Sequence, residues 1–441
     1  MKEKIKNLIQ NNFVKDTFIL QIGTFISTCL SFIGSIAFAR YLGPENYGQY
    51  ALIFAFTGLV GVFMQWGADI ATLTLLAEAW IKGDKEEIKK LIIFFIKISL
   101  ITTATVGLIV LIFAPLITQH LYQNPVIGNL ARWVLLAIII RFWFSFLIIL
   151  LQASRKIKQL TLIENINKVI YILFPIALML IVGNLSGIVW GHFLSAAIFF
   201  IFSIYFYRLI YKKTHLLPSL REILAGLKTV SIRQYLKFGF SIAIDKNLVN
   251  LYTFLPITFL GMFATTAEVG FFKIAFSYIG LSLMFLKPIT RLLAVQLPQS
   301  KTRSLKILKK HFYKTTLYST LGILIILIPM LFLSKYLVEI FYGIKYLPAV
   351  NIIYSIWPYA LISALGVGLG ALYRTLNKVK ISIIINLINI LIGLPIFYFL
   401  IKNYGLHGMI ITTLTWFSLS VLAILIFTNL HLNKLIKSQI E

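Results

Sequence analysis

Long apolar runs alternate with short polar, mostly basic segments along the whole of the 441-residue chain. A bilayer core is crossed by a helix of about 20 apolar residues. Twelve runs meet that length, at about 14–40, 46–66, 88–115, 126–153, 161–183, 186–207, 236–261, 268–292, 312–333, 348–373, 379–401 and 406–430. The pattern predicts an all-α integral membrane protein with twelve transmembrane helices and no water-soluble segment longer than a linker. The first run is long, carries Ser and Thr, and is followed by Arg40 instead of a small-residue cleavage site, so it reads as a retained span and not a cleaved signal.

Lys and Arg set the expected orientation, because short loops rich in them stay cytoplasmic. With both termini inside, the inside segments hold 30 of the 41 basic residues, in clusters around Lys2–Lys15, Lys82–Lys90, Arg155–Lys158, Arg208–Lys237, Arg291–Lys314, Arg374–Lys380 and Lys434–Lys437. Outside loops keep Arg40, Arg132, Lys335, Lys345 and Lys402. The expected location is therefore the cell membrane, multi-pass, with cytoplasmic termini.

Composition adds exclusions. At 59% apolar and 12% charged residues the chain has too little polar surface for soluble domains, and its net charge of +27 is spread between spans. That distribution is a topology signal and argues against a nucleic-acid partner, which needs a water-exposed basic face. Cys29 is the only cysteine, so neither a disulfide nor a cysteine metal cluster is implied. No GxxxxGK[ST], HExxH, CxxC or GxSxG motif occurs. No cofactor and no catalytic residue is expected.

At an offset of about 220 residues the chain resembles itself. SRKIK at 154–158 matches LNKVK at 376–380, Pro175 matches Pro395, LSGIVWG at 185–191 matches LHGMIIT at 406–412, and Gly48 and Phe54 fall on Gly270 and Phe276. Two parallel six-helix halves around a central cleft follow, at 1–207 and 236–441, joined by a basic cytoplasmic linker at 208–235. Leu220, Ile223, Leu224 and Leu227 in that linker have the spacing of an interfacial amphipathic helix, against the plainer reading of a charged connector.

The segment ARYLGPENYGQYALIFAF, 39–56, resembles the signature of the polysaccharide-biosynthesis (Wzx-type) lipid-linked oligosaccharide flippases of the multidrug/oligosaccharidyl-lipid/polysaccharide exporter superfamily. Its chemistry is that of a turn. Gly43-Pro44 stops one helix, Glu45-Asn46 can cap the next, and Gly48 allows close helix approach. The second half departs from the pattern with AEVGFF. The resemblance implies translocation of an undecaprenyl-pyrophosphate-linked oligosaccharide by alternating access, with membrane lipids as neighbours. It admits proton or sodium coupling and contact with other polysaccharide-assembly membrane proteins.

Charge inside the spans supplies the candidate cavity residues. A Lys or Arg at a helix centre costs roughly 2.5–3.5 kcal/mol on insertion scales, so it needs a reason to be there. Arg141 lies too deep to snorkel easily, and Lys246 is also deep with Asp245 beside it as a possible neutraliser. Lys97, Lys168, Lys273 and Lys287 are within a few turns of an end, where snorkelling competes with cavity lining. Lys168 can also pair with Glu164 four residues earlier. Gln21, Thr24, Thr28, Ser31 and Ser35 form one polar stripe that faces either a cavity or a neighbouring helix. Deep positive charge suits an anionic pyrophosphate headgroup, which Arg binds bidentately. His192 reads as a packed histidine before a proton relay. A cation-coupled multidrug exporter would instead want cavity carboxylates, and a membrane glycan polymerase would want a sizeable outside loop, longer than Thr118–Arg132 or Ser334–Leu347.

Overall fold

The computed structural model describes residues 12–64 and 66–438. Lys2, Lys4 and Lys6 fall outside the described residues, as do the side chains of Lys15, Lys237 and Arg291. The described chain is helical almost throughout: α1 (Asn12–Met64), α2 (Ala68–Lys82), α3 (Lys85–Thr102), a π-turn (Thr103–Gly107), α4 (Leu108–Tyr122), α5 (Pro125–Ile140), α6 (Phe142–Ala153), α7 (Ile157–Val182) and α8 (Leu185–Lys213). The linker carries α9 (Leu220–Gly226), and then follow α10 (Arg233–Phe263), α11 (Thr266–Leu283), α12 (Leu286–Arg303), α13 (Leu305–Tyr342), α14 (Pro348–Ile356), α15 (Pro358–Leu365), α16 (Leu369–Thr375) and α17 (Val379–Lys437).

Eight helical stretches are long and apolar enough to cross a bilayer, nine if the bent pair α11–α12 is one span. Two of the eight are hairpins. α1 breaks at Gly43 (φ 71°), and Ala39 and Tyr47 on its two arms both meet Tyr346. α17 breaks at Gly405 (φ 50°), and Phe397 and Asn389 on one arm pack against Trp416 on the other. With the more polar α10 these make twelve passes, six in each half. Side-chain caps close several of the turns: Asp84 on Glu87 N, Asn124 on Val126 N, Asn184 on Ser186 N, and a Thr265/Glu268 capping box.

The internal repeat is visible in geometry. Gly183 and Gly405 hold the left-handed turn between the fifth and sixth passes of their halves. A Cβ on Gly187 would collide with the carbonyl of Leu178, and one on Gly408 with that of Leu400. Only glycine permits these approaches.

By contact the chain divides into one unit of Met1–Phe38 and Ile53–Asn247 and another of Ala39–Leu52 and Leu248–Glu441. These limits differ from a simple cut on either side of residues 208–235, for two physical reasons. The linker docks on the first half: Ile223 is 1% exposed, Tyr207 Oη donates to Pro218 O at 2.7 Å, and Lys97 Nζ donates to Val230 O at 2.8 Å. Leu224 stays 66% exposed, so the apolar spacing of α9 serves protein packing on one side only. Residues 39–52, in turn, are fastened to the second unit. Arg40 donates to the carbonyls of Ile340 and Phe341 in the last turn of α13, and Tyr346 Oη donates to Ala39 O at 2.8 Å. Gly48 and Gly270 face one another, a Cβ on the first overlapping Thr266 O and one on the second overlapping Pro44 O. The signature segment is thus a helix-end cap and a helix crossing.

Candidate functional site

Three passes of the first half lose regular α-helical geometry at one level. The second pass breaks before α2, where Gly67 takes a left-handed φ of 80°. The third carries the π-turn 103–107, and the fourth breaks at Arg141, between α5 and α6. Irregular backbone inside a membrane is tolerated where it lines a cavity or is buried in protein, and π-turns recur at functional sites. All three breaks border one cavity of about 570 Å³, lined among others by Trp66, Asp69, Thr102, Thr103, Arg141, Ser145 and Glu164. That volume lies in the range of about 300–1,000 Å³ usual for ligand pockets.

Arg141 is the centre of the polar chemistry there. Its Nη2 donates to Oδ1 of the buried Asn167 at 3.3 Å, and its guanidinium carbon lies 5.0 Å from the Tyr171 ring centroid. Both contacts come from α7. Arg141 forms no salt bridge among the described residues. The ring of Tyr171 continues to His192, 4.3 Å away, which is 2% exposed among Phe38 and Phe54. A packed histidine behind the arginine is the result.

Lys246 is paired with Asp69 on α2. Its Nζ lies 3.0 Å from Asp69 Oδ2, and both side chains are well exposed, at 47% and 39%. Asp69 lies beyond the apolar run that ends near 66; α2 continues that pass, and Asp69 sits in its first turn, where a helix N-terminus favours an anion. Asp245 is half-buried on α10.

The other candidates are distributed elsewhere. Lys97 is spent on the linker carbonyl of Val230. Lys168 lies 5.9 Å from the face of Tyr171, one turn away on α7. Lys273, half-buried on α11, and Lys287, exposed beside the α11–α12 bend, belong to the second unit, and neither forms a salt bridge among the described residues. The stripe on the first pass proves largely self-satisfied. Thr24, Thr28 and Ser31 donate to carbonyls four residues back. Ser27 bonds Asn165 Oδ1 on α7 at 3.1 Å, and Gly23 packs against Thr161. Packing accounts for Thr28, whereas the buried Gln21 Nε2 has no described partner.

Residues 13–294 match the family described as polysaccharide biosynthesis protein. The chain belongs to that family. Stage V sporulation protein B of Bacillus subtilis (strain 168) is 28% identical over 122 residues, which are 28% of this chain and 22% of that protein. The chain thus aligns with only about a fifth of that relative's length. Among solved structures, an inward-facing multidrug resistance MATE family transporter of the MOP superfamily superposes with a TM-score of 0.77 at 15% identity, over 93% of this chain and 96% of that one. A MOP superfamily transporter from Pyrococcus furiosus, described by a reverse polarity of its binding pocket, superposes at 0.69 with 16% identity, over 95% and 96%. At these identities the likeness establishes the fold.

For this member of the polysaccharide biosynthesis family, sequence reasoning singled out Arg141 but not Asp69 on the cavity wall, nor Asn167 and Tyr171, which hold the Arg141 side chain. A signal for Asp69 was present in Trp66-Gly67-Ala68, a glycine directly after an apolar run. Asn167 and Tyr171, four residues apart on α7, meet Arg141 only once α5–α7 are folded, and nothing local marks them.

Proposed function

We propose that the protein flips an undecaprenyl-pyrophosphate-linked oligosaccharide from the cytoplasmic to the outer leaflet, by alternating access, for surface polysaccharide assembly. The observation that carries the reading is Arg141: a guanidinium at a helix break in a membrane-level cavity, oriented by neutral groups and without a carboxylate partner among the described residues. Such a fork offers bidentate hydrogen bonds to a phosphate. The family supports a role in polysaccharide synthesis, and the fold supports transport. On this reading the basic ends of the passes face the cytoplasm, and the polyprenyl tail stays in lipid while the headgroup changes sides.

Export of organic cations is the second reading, favoured by Asp69 and Glu164 on the cavity wall. Asp69 is already paired with Lys246, however, which leaves it little net charge for a cationic drug. A glycan polymerase is less well supported, since the longest helix-free connections among the described residues, 214–219 and 227–232, flank α9 in the linker. Purified protein in proteoliposomes, supplied with a lipid-linked oligosaccharide on one face, should move it to the other under a proton, sodium or voltage gradient. Absence of translocation under every gradient, together with export of a cationic dye, would favour the second reading.

A further inference from the structure

The second unit holds a basic pocket unconnected with Arg141. It has a volume of about 460 Å³ and lies between the end of α12, through Ala294, Pro298 and Lys301, and α16, through Ala371, Arg374 and Thr375. α12 ends before Ser304 and α16 before the 376–378 turn.

The pocket is built, not merely charged. Lys301 Nζ donates to Thr375 O at 2.8 Å, tying its two walls together. Arg374 Nε donates to Gly370 O at 2.7 Å within α16, which fixes the guanidinium and leaves its Nη groups without a described acceptor. Leu293 packs over Gly368, whose left-handed φ of 78° starts α16. Unspent donors on a fixed guanidinium and a fixed ammonium call for an acceptor with several oxygens. The chain offers none nearby in sequence: from Leu248 onward it has seventeen Lys and Arg against Glu268, Glu339 and Glu441. The remaining walls, Ala294, Pro298 and Ala371, are small and apolar, with room for the first carbons of a lipid.

We propose that this pocket binds the phosphate headgroup of an anionic membrane lipid. Basic pockets between membrane helices take such headgroups, each cation contributing about fivefold in affinity near the surface. Bilayer phospholipid and polyprenyl pyrophosphate share that chemistry. The proposal is independent of the cargo reading, because Arg141→Ala leaves this site intact.

Native mass spectrometry of the full-length protein in detergent tests it, with phosphatidylglycerol, zwitterionic phosphatidylcholine, a polyprenyl pyrophosphate and inorganic pyrophosphate as probes. Phosphatidylglycerol or the polyprenyl pyrophosphate should bind at least tenfold tighter than phosphatidylcholine, and whichever does so identifies the source. Lys301→Gln with Arg374→Gln should weaken that binding by roughly thirtyfold. Lys306→Gln with Lys310→Gln, an equal loss of charge outside the pocket, should stay within twofold. If the first pair fails to fold, Arg374→Gln alone, whose one described bond lies within its own helix, should cost about fivefold. Unchanged binding in the pocket variant, equal affinity for phosphatidylcholine, or inorganic pyrophosphate binding as tightly as either lipid overturns the proposal.

Discussion

Replacing Arg141 by alanine separates cargo binding from architecture, because the structure limits what the side chain contributes to stability. It loses one hydrogen bond to a neutral amide at 3.3 Å, just beyond the usual range, worth about 1 kcal/mol. It also loses cation–π contacts of a half-buried group with Tyr171 at 5.0 Å and, at the limit of range, Phe144 at 6.0 Å, together worth roughly 0.5–1 kcal/mol. The total, about 1.5–2 kcal/mol, falls below the roughly 3–5 kcal/mol lost when one partner of a buried ion pair is removed. No carboxylate is stranded, since none is bridged to Arg141. Purified Arg141→Ala should therefore melt only a few degrees lower and accumulate normally, while translocation in proteoliposomes falls by roughly thirtyfold or more, as expected for a truncated, desolvated phosphate contact. Arg141→Lys should keep part of the rate, with charge retained and the fork lost. Asn167→Asp should hold or raise the melting temperature yet depress transport, because a carboxylate beside the guanidinium would occupy it. Full transport by a stable Arg141→Ala protein would refute the reasoning, as would a collapse in melting temperature that accounts for the lost transport.

Lys246→Ala should change stability by no more than about 1 kcal/mol, the pair with Asp69 being exposed, but should impair transport by uncovering the Asp69 carboxylate in the cavity. Adding Asp69→Asn should then restore transport; no restoration would separate Asp69 from the cargo path. Gly48→Ala and Gly270→Ala each force a Cβ into backbone, so detergent-extractable, monodisperse protein should be lost at a cost above the roughly 1–3 kcal/mol typical of overpacking. Normal yield from either variant would show that the crossing is looser than its geometry. Pro115 cannot supply the amide that would bond Leu111 O, and Arg132 Nε does so at 2.9 Å. Arg132→Ala should therefore cost about 1–3 kcal/mol in a Pro115 background and less beside Pro115→Ala, as read by a thermal double-mutant cycle. In the linker, the Ser219 backbone N–H, followed by the Ser219 hydroxyl and Lys89, holds the Glu222 carboxyl below its ordinary range. Its contribution to docking is present above the unfolded value, near pH 4.3, and is lost as pH falls through the lower folded value. Proteolysis at Arg221 and Lys228 should rise on acidification below about pH 4, and Glu222→Gln should remove that dependence.

The fold was legible because a bilayer makes hydrophobicity one-dimensional. Each pass must satisfy its own backbone and present about 20 apolar residues, so spans could be counted without knowing their neighbours. The repeat was legible for a related reason: Gly187 and Gly408, 221 residues apart, each sit where a Cβ would meet backbone, so the same small residue recurs at the same place in both halves. Where a span ends is a weaker signal. The second pass was expected to stop near 66, but it breaks at Gly67 and resumes as α2, an amphipathic helix whose Ala71 and Leu76 are fully buried. Its polar half had the composition of a loop.

The site was legible only in its most expensive member. A lone arginine in the middle of a pass carries an insertion cost large enough to be read from sequence alone. Its partners carry no such mark, for Asn167 and Tyr171 are unremarkable on an apolar helix and become significant by facing Arg141 across the bundle. The same argument explains the lysines. A cost of about 2.5–3.5 kcal/mol at a helix centre falls toward an end, so Lys97 needed only the Val230 carbonyl within reach, and a cation so placed points to architecture as readily as to cargo. Depth, more than charge, distinguishes the two, which is why Arg141 remains the residue whose removal discriminates between readings while the shallower cations do not.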